Sequence, residues 1–337
     1  MNNCSMKSNI NLLDEQEIKF LIKSLVDEKE RHRQEKIAQK IGSIKDERTA
    51  ELVAELLYSE DGFIRNTAIE LLVALDEKAL AVLKEKLADK DRNIRKFALD
   101  ALKHIRGKHS CEIALAALDD DDENVVEAAL EVIAQQQYKE AEDKLLEILK
   151  KTNSVWVINA LLRTFASLDT KHFLGTIEEK IFSLDATDIE KNILVNSYVR
   201  TLGSIGSYRD IDVIIGKYAK DFVMDNSNLV LALSNLVLKT DISKLSEETV
   251  KELGRIFEEH WDWRDSNQVL ICIAAFVKLQ LVFFLDDMEA IYRLNKNEEF
   301  FVENFMNLLK NFRISLRLLC IKFWKAKNRN WYLWVLS

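Results

Sequence analysis

Apolar residues recur along this chain at helical intervals, and the whole pattern then recurs about thirty residues later. After Asp61 come Ile64, Ala68, Leu71, Leu72 and Leu75; after Asp91 the same places hold Ile94, Ala98, Ala101, Leu102 and Ile105. These offsets trace one face of an α-helix. An Asp three residues ahead of that face is placed to accept from the free N–H groups of the first turn. A third copy starts at Asp122, with Val125, Ala129, Val132 and Ile133, and a fourth at Ser154, with Val157, Leu161, Phe165 and Leu168. The copies are spaced by 30, 31 and 32 residues.

Between copies lies a second helical stretch, marked by Leu80, Leu83 and Leu87 after Asp76, and by Ala141, Leu145 and Leu149 in the third copy. Each copy therefore predicts a pair of amphipathic helices joined by a polar turn. One such hairpin cannot bury its apolar face alone and must stack on its neighbour. The expected fold is all-α, an α-solenoid with about nine helix pairs. Residues 1–30 are expected to form a tail and an N-terminal capping helix, 31–310 the repeats, and 311–337 a segment completing or capping the last one. Stretches beginning at Asp225 and Asp265 keep the capping rhythm at longer spacing.

Composition agrees with a helical reading. Zero Pro and eight Gly leave little turn chemistry for a β-rich fold. No Gly/Ser-rich linker interrupts the chain. Cys4, Cys111, Cys272 and Cys320 are scattered, and three of them lie in apolar helical stretches, as expected of buried thiols in a reducing cytoplasm. The opening residues lack an apolar signal core, and no run of eighteen apolar residues is present. The expected localisation is cytoplasmic.

At the level of individual residues the chain resembles the HEAT family, in particular its short bacterial, phycobilisome-lyase-like repeats. The words that carry the likeness are Asp61, Ile64, Arg65 and Ala68, repeated as Asp91, Ile94, Arg95 and Ala98. The turn-like stretches Ile41–Asp46 and Leu202–Ser207 are similar as well. The Asp and Arg suggest a structural ladder through Asp61, Arg65, Asp91 and Arg95, shortened because the third and fourth copies carry Val126 and Ile158 in place of the Arg. The resemblance implies a protein-binding scaffold, with the second helix of each pair lining a concave surface. It also brings two alternatives: a bilin lyase-like enzyme acting on a partner protein, and a DNA-binding protein akin to the HEAT-like alkylpurine DNA glycosylases.

Few stretches suggest chemistry. Four aspartates from Asp119 to Asp122 offer oxygen ligands, but a calcium loop alternates its ligands and turns on a Gly, and the run falls where the repeat needs a turn and a cap. His104, His109 and Cys111 match no zinc spacing. The glycines at 203 and 206 follow no strand and precede no Gly-Lys-Ser/Thr, so a phosphate loop is excluded. No catalytic signature, cofactor or metal is expected. Trp261, Trp263 and Arg264 form the candidate partner contact, since Trp and Arg concentrate binding energy at interfaces.

Charge adds direction. Lys84 to His109 holds nine Lys/Arg against four acids, a balance of +5; Glu112 to Leu149 holds twelve acids against two lysines, −10. Such opposed fields suit an electrostatically matched protein partner. The net charge of −8 argues against nucleic acid. Residues 311–337 carry six Lys/Arg, no acid and six aromatics. They are expected to fold back onto the last repeat, with self-association or peripheral contact with an anionic membrane as the other roles.

Overall fold

The computed structural model describes residues 15–262, 264, 266–281, 283–295 and 297–311. The segment 312–337, Trp263 and Asp265 lie outside the described residues, and with them the expectations for the chain's end. Contacts cluster into two compact units, one up to Leu168 and one from Asp169. Among the described residues every regular element is helical.

The first unit contains α1 (Glu15–Asp27), α2 (Arg31–Gly42), α3 (Glu47–Ala54), α4 (Gly62–Leu75), α5 (Leu80–Lys86), α6 (Arg92–Leu102), α7 (Lys108–Ala116), α8 (Glu123–Gln135), α9 (Glu142–Lys151) and α10 (Val155–Leu168). The helices form two layers. In one, α2, α4, α6, α8 and α10 stack in succession; in the other, α1, α3, α5 and α7 do the same. This is the stacking of an α-solenoid, in which each copy supplies its neighbour's missing core. Ile64, Ala68, Leu71, Leu72 and Leu75 of α4 are all buried, and so are their equivalents in the second and fourth copies; in the third copy Val125, Ala129, Val132 and Ile133 are buried while Gln136, in the place of Leu75, is half-buried.

The expected N-terminal helix, α1, packs on both α2 and α3. The pairing differs from the expected one: the closely packed hairpins are α3–α4, α5–α6 and α7–α8, so the Leu80 stretch pairs with the helix after it. Periodicity alone could not decide this, because in a stack every helix touches both predecessor and successor.

Capping residues start the helices as expected. Asp46, Asp61, Asp91 and Asp122 accept from the N–H groups of Thr49, Phe63, Asn93 and Asn124 at 2.7–3.0 Å. The stops are less conventional. After α4, α8 and α10 the chain turns on Asp76, Gln137 and Asp169 at φ of 56°, 51° and 58°; after α6 it turns at Gly107, φ 135°. A positive-φ residue thus follows the Asp- or Ser-capped helix of each copy, at one register position in three copies and one residue later at Gly107, and three times out of four it is not a glycine.

The second unit contains α11 (Leu174–Ser183), α12 (Asp188–Ile205), α13 (Arg209–Val213), α14 (Ala219–Asp221), α15 (Asn226–Lys239), α16 (Glu247–His260), α17 (Ser266–Lys278), α18 (Met288–Asn295) and α19 (Glu299–Asn311). Helices α12, α15 and α17 stack in one layer. A π-helical turn, Ile214–Tyr218, joins α13 to α14. It sets Tyr218 fully inside, where its hydroxyl donates to Glu178. Gly203 lets α12 approach α15 closely: a Cβ there would stand 2.5 Å from the Ala232 Cα.

Candidate functional site

The copies align residue for residue, so the solvent side of the Asp-capped layer in the first unit can be read in rows. One row runs Glu70, Asp100, Glu131, Arg163 across α4, α6, α8 and α10. The next runs Asn66, Lys96, Glu127, Asn159, and a third Phe63, Asn93, Asn124, Trp156. Lys103 bridges to Glu131 at 2.8 Å. Asp100 and Glu127 are half-buried. Among the described residues neither makes an ion pair or a hydrogen bond. Burial raises the pKa of both carboxyls, and the more distant charges of Lys96 and Lys103 (for Asp100) and Arg163 (for Glu127) offset it only in part. Asn159, in register with Glu127, keeps a buried Oδ1 with no hydrogen-bond partner among the described residues. Trp156, at the end of the third row, is 58% exposed.

At the other end of this face, α2 and α4 leave a groove of about 650 Å³. The opposite layer has a groove of about 600 Å³ between α5 and α7, where Lys84 and Glu112 stand together with His109.

The family profile for HEAT repeats matches residues 18–103 and again residues 80–166. This stretch is a HEAT-repeat array. Two solved structures are similar to the chain more loosely. One is the complex of CpcE and CpcF of phycocyanin lyase from Nostoc sp. PCC7120, at 16% identity and a TM-score of 0.37, covering 77% of this chain and 99% of that one. The other is an engineered protein, at 18% identity and a TM-score of 0.23, covering 72% and 96%. No curated protein matches the sequence.

Within the HEAT array the residues of the expected Asp–Arg ladder do separate jobs. Asp61 and Asp91 are caps. Arg65 and Arg95 each donate backward, to the Ser59 carbonyl at 2.6 Å and the Asp89 carbonyl at 2.9 Å. Arg65 then lies over the Phe97 ring of the next copy, 5.6 Å from its centroid. Arg95 reaches forward to Asp120. The four aspartates are likewise divided: Asp119 takes Lys144, Asp120 takes Arg95, Asp122 caps α8 and takes Arg92. Asp121, 98% exposed, makes a longer contact with the same Arg95 at 3.4 Å. Arg92 and Asn124 hold the Asp122 carboxyl at about 2. The opposed charge runs of the sequence are thus joined across the repeat boundary at three cations, Arg92, Arg95 and Lys103.

His104 and His109 are exposed while Cys111 is buried, and no group of three His, Cys, Asp or Glu able to hold a metal occurs among the described residues. The glycines at 203 and 206 serve packing and a turn, in which Asp210 accepts from the Ser207 N–H at 2.6 Å. No helix among the described residues is long and apolar enough to cross a membrane.

The structure places Trp261 and Arg264 in the α16–α17 turn, facing different surroundings. The Trp261 indole N–H donates to Asp287 at 2.9 Å, and its ring meets Phe276 edge-on at 4.9 Å. Arg264 is 75% exposed and bonds Asp262 at 3.1 Å. Sequence reasoning missed Trp156, Asp100 and Glu127. The available signal was the register itself: a Trp where two earlier copies hold Asn, and acids on the polar side of two successive helices.

Proposed function

We propose that the chain is a non-enzymatic scaffold that binds a protein partner, and that the Asp-capped face of the HEAT array is its interaction surface. The observation that supports this most is the pair Asp100 and Glu127, held half-buried on that face without a cation in bonding reach. Partly desolvated carboxylates left unpaired cost stability in the free protein, and a partner's cation would recover that cost. The open Oδ1 of Asn159 and the exposed Trp156 ring fit the same reading, since buried polar atoms find partners and Trp anchors interfaces. This face lies on the Asp-capped helices α4, α6 and α8, not on the Leu80-type helices that the sequence was expected to turn toward a partner.

The test begins with tagged protein as bait in its native lysate. The captured protein is then purified and its affinity measured for wild type and for the double variant Asp100→Arg/Glu127→Arg. At least a tenfold loss is expected, with melting curves that show the variant folded. Unchanged affinity would move the surface elsewhere.

A further inference from the structure

The groove between α2 and α4 has a chemistry of its own. Its floor is small and apolar: Ala38, Gly42, Leu71 and Ala74. A Cβ on Gly42 would lie 3.4 Å from Leu71 Cδ2 and 3.6 Å from the Ala74 Cβ, so the missing side chain holds the floor open. Glu35 and Glu70 stand exposed on the two lips, and no cation lines the groove. The cations at its ends are engaged. The Arg31 guanidinium lies 4.7 Å from the centroid of the Phe63 ring that closes one end, and the Lys45 ammonium donates to the Ala74 carbonyl at the other. Glu70 is also the first member of the row that continues to Asp100 and Glu131.

We infer that this groove receives one aromatic or long aliphatic side chain from a segment of the partner protein, with Lys or Arg side chains on either side of that anchor meeting Glu35 and Glu70. The proposal rests on the scaffold reading and names its partner's chemistry. An apolar floor rewards an apolar anchor in proportion to the area removed from water. Two acidic lips on a groove whose own lining holds no cation favour a cationic flank over a phosphate-bearing ligand. The groove is open along one side and continues into the acidic row, which suits a chain segment.

The probe is a fluorescein-labelled peptide with one central Trp and two Lys on each side, titrated with the full chain at low salt and followed by anisotropy. Two analogues replace every Lys by Gln, or the Trp by Ala. The expected result is saturable binding of the parent peptide and at least tenfold weaker binding of each analogue. Glu35→Lys/Glu70→Lys, at exposed positions and with a melting curve that shows the variant folded, should weaken the parent at least tenfold. Ala38→Trp, which fills the floor, should do likewise. Equal binding of the Gln analogue, no binding of any peptide, or indifference to both protein variants would overturn the inference. So would self-association of the protein alone that Glu35→Lys/Glu70→Lys abolishes, because the occupant would then be a second copy. If the natural partner binds wild type and Ala38→Trp equally well, the groove proposal fails while the scaffold reading stands. If no natural partner is recovered, the scaffold reading fails by itself.

Discussion

The Arg95 guanidinium leaves its own repeat and grips the Asp120 carboxylate of the next with two bonds of 2.7 Å. Both side chains are nearly buried, at 12% and 11% exposure. Burial would raise the Asp120 pKa, but the Arg95 fork and the Asp122 N–H outweigh it and hold the carboxyl below the usual range. A bidentate pair of this kind fixes the register between successive repeats.

Arg95→Met leaves Asp120 buried and unpaired, which should cost about 3 kcal/mol. The pH dependence has a definite sign. Because the folded-state pKa of Asp120 is depressed, its contribution is present above the ordinary carboxylate range and is lost as pH falls through the folded value. Urea melts of wild type and Arg95→Met should therefore differ at pH 7, and the gap should begin to close only below about pH 4, as the pH falls through the depressed folded value. A gap that persists in acid would mean the pair does not act through its charge.

Gln137 ends α8 at φ 51°, a conformation that favours glycine. Gln137→Gly relieves that strain but loosens the unfolded chain, so the net gain should be modest, about 0.5 kcal/mol. Thermal unfolding would register it as a small rise in Tm. A fall would show that the left-handed turn is not strained.

Ala98 is fully buried on α6. Ala98→Arg would place an unpaired charge inside the stack and should cost on the order of 4 kcal/mol, enough to lower the melting temperature steeply. An unchanged melting curve would show that the helical phase of the repeat is wrong.

Much of this architecture was legible in the sequence. Each of the five apolar positions after Asp61 and each of the five after Asp91 is buried, because helical periodicity reports burial directly. The left-handed stops were not legible, since Asp76, Gln137 and Asp169 take a conformation their identity does not announce. The opposed charge runs were visible but were read as facing outward. That Arg92, Arg95 and Lys103 reach acids of the following copy depends on the spacing between helices, which composition does not contain. The site was least legible: Asp100 and Glu127 look like ordinary surface acids until the neighbouring helices half-bury them.

Cys111 should behave as an inert thiol. Burial, with Glu140 and Glu112 adding to it, pushes its pKa up to about 11. Its sulfhydryl faces the Gln136 Oε1 at 3.5 Å, and the same amide clamps the turn by accepting from the Gly107 N–H and donating to the Leu102 and Ile105 carbonyls. Iodoacetamide at pH 8, read residue by residue by mass spectrometry, should leave Cys111 unmodified in folded protein and label it after denaturation. Prompt labelling in the folded state would mean that this turn opens readily.

The central claim, that the Asp-capped face of the HEAT array meets the partner, is tested most directly by hydrogen–deuterium exchange with and without the purified partner. The account predicts slowed exchange in α4, α6 and α8, strongest around Asp100 and Glu127, and little change in α3, α5 and α7. Protection confined to α3, α5 and α7, or found only in the second unit, would contradict it.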